Sequence, residues 1–293
     1  MLNHGIVPAS GGVSLPPIPW GGDRGVAGAG YATYNIIDYI NLASTGNAVD
    51  FGDLTEGRRM AGACSNGTRG LFAGGFGDGG LKNTIDYITI STPGNAQDFG
   101  DLTVARWNVT GVSNGTRGVF AADGNTIDYV TIDTSGNAQD FGDLSGSRYG
   151  MGGCADSTRG LFGGGNDSNT IEYVTIDTTS NSSDFGDLSQ ARTYLSSSSN
   201  DTRGVFGGGY ANGDQTTIDY VTIATAGNAI DFGDLTVGRR NSASCAGAGK
   251  AVFMSGFSLK VSIDYVTINT TGNAQDFGDL TVGRRSLAGL SGD

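Results

Sequence analysis

Along residues 84–91 the chain reads Thr-Ile-Asp-Tyr-Ile-Thr-Ile-Ser, a period of two that predicts a β-strand. Ile85 and Tyr87 point one way and Ile88 and Ile90 the other, so this strand is expected in a sheet covered on both faces. The pattern returns six times, with its acid at Asp38, Asp86, Asp128, Glu172, Asp219 and Asp264. Thirteen residues after each acid comes the aromatic of an Asp-Phe-Gly-Asp-Leu element: Phe51, Phe99, Phe141, Phe185, Phe232 and Phe277. Eighteen residues after each of the first five Phe stands a basic residue: Arg69, Arg117, Arg159, Arg203 and Lys250. Only the stretch from that basic residue to the next acid changes in length.

Within one unit four short strands are expected, over residues 59–65, 69–74, 84–91 and 97–102. Asn66-Gly67 and Asn114-Gly115 predict type I′ hairpin turns between the first two strands. Four antiparallel strands in roughly 45 residues is the size of one propeller blade. The ends favour a ring over an open solenoid. The spacing after Phe277 runs past Asp293, while the element it calls for begins at Asp23-Arg24-Gly25. Residues 285–293 are therefore expected to supply the innermost strand of the blade whose other strands come from residues 24–54, removing exposed sheet edges. The expectation is an all-β, six-bladed propeller over residues 23–293 with a Pro-rich arm over residues 1–22.

Composition supports the class: 52 of 293 residues are Gly, against two Glu and three Lys, so helix formers are scarce. The net charge of −12 argues against nucleic acid or an anionic membrane as partner. No run approaches the length of a membrane-spanning helix, so no membrane insertion is expected. Residues 1–20 lack the basic start and apolar core of a signal peptide.

The order of elements resembles the kelch repeat: an Arg pair, a small-residue strand, an apolar strand ending in Gly-Gly, a Tyr-containing strand and an aromatic-containing strand. Gly74-Gly75, Gly163-Gly164 and Gly207-Gly208 match its diglycine, whereas Ala121-Ala122 and Met254-Ser255-Gly256 depart from it. Phe99 and its equivalents stand where the kelch pattern carries Trp. The wording Asn-Thr-Ile-Asp-Tyr-Val-Thr-Ile with Gly-Asn-Ala-Gln-Asp-Phe-Gly-Asp-Leu is also similar to repeats in virion proteins of tailed phages, marine ones especially. That likeness implies a structural protein of a phage particle, in the tail, a fibre or a decoration. Its implied partners are other virion proteins or copies of itself, and its implied place is the virion after synthesis in the host cytoplasm. The alternative is a module that binds a host glycan or receptor.

Catalysis is not expected. A copper oxidase of the galactose-oxidase type, which shares the kelch fold, needs two His ligands, and His4 is the only histidine. That single His also leaves no Ser-His-Asp triad. Every Arg occupies a repeat slot, and an acid copied once per blade reads as scaffold, paired with a repeat Arg. Asp98-Phe99-Gly100 lacks the other kinase elements, and a strand rather than a helix follows Gly207-Gly208-Gly209. Cys64, Cys154 and Cys245 fill one slot in alternate units. They read as small buried side chains, the alternative being a three-thiolate metal ring in the channel. No cofactor is expected.

Two candidate contact surfaces remain. The variable connection carries Phe76, Asp123, Asn166, Tyr210 and Phe257, all expected on one face of the disc beside the Arg58-Arg59 type of connection. The arm carries Leu15, Ile18 and Trp20, which would bury best against the propeller or a partner subunit.

Overall fold

A computed structural model of the protein describes residues 22–31 and 34–292; Leu15, Ile18 and Trp20 of the arm lie outside them. Among the described residues there is no helix, and six antiparallel blades form a propeller. The second blade runs Gly62–Ser65, Arg69–Gly77, Gly80–Thr89 and Gln97–Asp101 from the axis outward. The first blade is composite, as the repeat spacing requires. Ala288–Gly292 pairs with Arg24–Gly28, which pairs with Ile36–Asn41 and then Val49–Asp53.

The core is divided among the six seams between blades, each filled by its own apolar cluster. Ile85 and Tyr87 face the third blade with Phe120, and Ile88 and Ile90 face the first with Leu290. Third strands are thus covered on both faces because every blade has two neighbours.

The repeated acid is buried in all six blades. Each pairs with the first Arg of its own blade's lead-in: Arg58 with Asp86 at 2.9 Å, Arg106 with Asp128 at 2.5 Å, Arg148 with Glu172. Arg192 meets Asp219 at 2.6 Å, Arg239 meets Asp264 at 2.7 Å and Arg284 meets Asp38 at 2.6 Å. The acid also accepts from the residue that follows the preceding blade's Leu, as Asp86 does from the Thr55 hydroxyl at 2.6 Å and amide at 3.2 Å. Arg192 spends its other amino group on the carbonyls of Gly208 and Thr217 at 2.8 and 2.7 Å. Burial pulls the basicity of Arg106, Arg192, Arg239 and Arg284 down, and each paired carboxylate opposes that pull. Where the fourth blade has the longer Glu172, Ser145 and Ser182 donate to it at 3.0 and 3.1 Å.

Two more repeated residues tie neighbouring blades. Arg69 lies 4.4 Å over Tyr87 and donates at 3.1 Å to the Ile132 carbonyl of the next blade. Lys250 makes the equivalent bond to Leu42 at 2.7 Å, across the point where the ring closes. At the rim of the disc Asn137 accepts from the Asp101 amide of the preceding blade at 3.1 Å. The Asp-Phe-Gly element follows from this contact. Pairing slips between Ile85 opposite Gly100 and Asp86 opposite Asp98, so Phe99 bulges into the seam. Gly100 has φ 145°, and a β-carbon there would lie 2.5 Å from the Gly136 carbonyl oxygen, so only glycine fits.

Three expectations need correction. The first strand is not continuous over 59–65. Arg58–Arg59 and Gly62–Ser65 are separate because Met60, at φ 56°, turns the chain between them. The Asn66-Gly67 turn is not type I′, since Gly67 alone has positive φ, 87°. Instead the Asn66 side chain accepts from the amides of Thr68 and Arg69 at 3.1 and 2.7 Å. Asp156 does the same at 2.7 Å where no glycine is present. Finally, residues 76–83 are not a loop. The second and third strands of that blade run on into a tight hairpin, Gly77 pairing with Gly80, and the glycines at 79 and 80 supply the positive φ it needs.

Removing residues 285–293 takes away both the closing strand and its seam, so the truncated chain is expected to lose its cooperative melt in calorimetry; a melt like that of the full chain would contradict the ring. Asp219→Ala strands a buried guanidinium and should cost about 3–5 kcal/mol in denaturant unfolding. A loss under about 1 kcal/mol, the range of exposed pairs, would show that the pair does not act as a buried one.

Candidate functional site

Each lead-in continues from its buried Arg to a second residue that differs between blades: Arg59, Trp107, Tyr149, Thr193, Arg240 and Arg285. A third residue then turns the chain with positive φ, namely Met60, Asn108, Gly150, Tyr194, Asn241 and Ser286. These six third residues ring one mouth of the axial channel, around a space of about 100 Å³. Beyond it the innermost strands line further spaces of about 110 and 70 Å³. The turn lifts the second residue off the channel and sets it between the variable connections of two adjacent blades.

The contacts follow from that placement. Arg240 lies 4.3 Å over Tyr210 and 3.9 Å over Phe257. Arg285 lies 4.5 Å over Phe257 and 3.8 Å over Tyr31. Arg59 lies 5.2 Å over Tyr31 and 4.7 Å over Phe76. Phe76 packs on Trp107 with centroids 6.0 Å apart, and the Trp107 indole donates to Asp123 at 2.7 Å. This gives an unbroken series of alternating rings and guanidiniums from Tyr210 to Phe76 over half of the mouth, and Trp107 with Asp123 begins the other half. Further along that half Tyr149 packs on Tyr194 at 5.8 Å, and the Tyr149 carbonyl accepts from the Asn166 amide at 3.3 Å. There the Thr193 hydroxyl receives the Asp167 amide at 2.8 Å and donates to the Asp167 carboxylate at 2.9 Å.

All five residues expected on the variable face therefore stand in one rim, each touching a second lead-in residue. Sequence reasoning gave Arg59, Arg240 and Arg285 repeat slots like every other Arg, set the Arg58-Arg59 type of connection beside this face without naming its second Arg as a contact residue, and passed over Tyr31, Trp107, Tyr149 and Tyr194. The doubled Arg in three of the six lead-ins was the available signal, because one Arg per blade suffices for the buried pair.

Ion pairing separates the three rim arginines. Arg240 has Asp214 at 3.4 Å. Arg59 and Arg285 make no ion pair among the described residues, so their charge faces the solvent and the rings. Burial, with Tyr149 beside it, raises the Tyr194 phenol above its usual range.

The cysteines do not form a metal ring. All three are free and buried, and among the described residues no cluster of three metal-ligating side chains exists. Their sulfurs point across the seams: the Cys64 and Cys245 sulfurs lie 2.7 and 2.6 Å from where β-carbons would sit on Gly118 and Gly25. The small side chain thus interlocks with a glycine of the next blade.

No family model matches the chain, and no curated protein matches it. The fold and the rim define the class: a six-bladed β-propeller, an architecture suited to an interaction platform.

Burial holds the thiols protonated, with Cys245 pushed up to about 12 and Cys64 and Cys154 higher still. Folded protein at pH 8 should accordingly show no reaction with a disulfide reagent over the minutes in which the denatured chain titrates all three thiols. Rapid labelling of one thiol in the native state would mean that its seam opens.

Proposed function

We propose that the protein is a non-enzymatic binding platform whose working surface is the arginine–aromatic rim. One observation carries this reading. Every change of loop length and every departure from the repeat in the lead-ins falls on the same face, around the same mouth, while the rest of the ring is occupied by repeated structural contacts. A site used once needs residues that occur once, and the rim is where such residues gather.

As to setting, we read the protein as a structural component of a phage particle, contacting other virion proteins or copies of itself. The wording of its repeats supports this. The second reading, a module for a host glycan or receptor, is favoured by the cation and aromatic content of the rim, which matches the composition of energetically dominant contact residues. Both readings use the same face.

The experiment replaces Phe76, Tyr210 and Phe257 together with Ser. The exchange removes four ring–guanidinium contacts, two of them at Phe257, each worth about 0.5–1 kcal/mol at an exposed site, so the melting temperature should fall by several degrees while the transition stays cooperative. Incorporation into particles, followed by mass spectrometry of purified virions, or adsorption of particles to host cells should drop sharply. Undiminished incorporation and adsorption by the triple variant would remove the rim as the working surface.

A further inference from the structure

The rim has two unlike halves, and the difference selects a ligand. In the sixth, first and second blades, which are consecutive around the ring, Arg240, Arg285 and Arg59 stand between aromatic rings that hold their planes. With ring faces occupied by guanidiniums, what this half offers outward is the N–H edges. A planar guanidinium edge fits a carboxylate in bidentate fashion. Arg59 and Arg285 have no carboxylate of their own among the described residues, on a chain of net charge −12. Two unpaired cations kept side by side in so acidic a protein call for an anion from outside.

The other half is acceptor-rich. Asp123 accepts from the Trp107 indole and Asp167 from the Thr193 hydroxyl. Their charge would repel a ligand acidic along its whole length, such as a run of Glu in a peptide. It would accept hydrogen bonds from hydroxyl groups, while Tyr149 and Tyr194 offer rings that carry no stacked guanidinium. The Ser286 hydroxyl, buried at the mouth beneath Arg285, has no hydrogen-bond partner.

Resting on the reading of the rim as the working surface, we infer that its ligand is an acidic oligosaccharide, with a carboxylate on the Arg285 and Arg59 edges and neutral sugar rings toward Tyr149 and Tyr194. The guanidiniums supply the anion contact, and Asp123 and Asp167 receive sugar hydroxyls. Charge at one end and hydroxyls at the other match the two halves, which a uniformly acidic peptide does not.

The test is titration calorimetry of the full chain against a panel of uronate- and sialate-bearing hexasaccharides, their carboxyl-reduced counterparts and hexaglutamate. At least one acidic sugar should bind, its carboxyl-reduced form and hexaglutamate should not, and binding should weaken with added salt. Arg285→Gln should lower the affinity about ten- to a hundredfold, the loss of one charged hydrogen-bonded contact, with Arg285→Lys falling less. Melting curves identify any variant that fails to fold, and Arg59→Gln then serves in its place. No binding by any acidic sugar, equal binding of the reduced form, or preference for hexaglutamate overturns the ligand assignment. If that happens while the triple Ser variant still loses particle incorporation or adsorption, the rim remains the working surface and only the ligand class falls. If the triple variant also behaves as wild type, both fall.

Discussion

One guanidinium held against one carboxylate, away from water, is the interaction on which each blade depends. The acid sits on the third strand, the Arg on the lead-in, and a Thr or Ser from the end of the preceding blade completes the acid's shell. Two pieces of chain, the third strand and a lead-in turn that carries both donors three residues apart, are fixed together at a point where hydrophobic packing alone would leave their relative depth undefined. Buried pairs of this kind add little net stability over apolar replacements, but a half-pair is heavily disfavoured. The pair therefore acts as a registration device: a lead-in displaced by one residue would leave a charge buried and unanswered. The desolvation that lowers the basicity of these arginines is the same penalty seen from the side of the cation.

The frame was readable because its physics is local and repeated. Constant spacing from acid to Phe to basic residue reflects three strands whose lengths are set by pairing, and the offset between chain ends anticipated the composite blade. The triplet Asp was rightly assigned to pairing with a repeated Arg. The buried place of the cysteines also followed from the sequence, although their glycine counterparts did not. Where reading fell short, the cause was physical. Asn-Gly suggests a type I′ turn, but the Asn66 side chain replaces backbone bonds and leaves only Gly67 at positive φ. Residues 76–83 looked like a loop because Gly77, Gly79 and Gly80 interrupt the alternation, yet those glycines are what lets the hairpin close tightly. Five residues of the rim were placed on one face, but the stacking of rings with the second arginines escaped notice for a different reason. Tyr31 meets Arg285 and Phe257 meets Arg240 only because a ring brings together residues that no short window contains.

Frame and rim differ in how they use the same residue type. The buried arginines have backbone carbonyls and one acid as partners, a set that no other side chain can satisfy. The rim arginines are held chiefly by ring faces, which fix the plane of the group and leave its edges free. A scaffold thus turns an arginine from a fastener into a displayed group by moving it one position along the chain, with the positive φ of the following residue making the change of direction.

The sharing of these arginines has an evolutionary consequence. Arg240 lies between rings of the fifth and sixth blades, Arg285 between the sixth and first, and Arg59 between the first and second. A substitution in one variable loop therefore changes the support of a cation that its neighbour also holds. Loops on this arc are constrained to drift in concert, as pairs and triplets, whereas Asn166 in the fourth blade can be exchanged with less effect on the blades beside it. Diversification of such a disc is expected to begin in the fourth blade and to reach the arginine arc last.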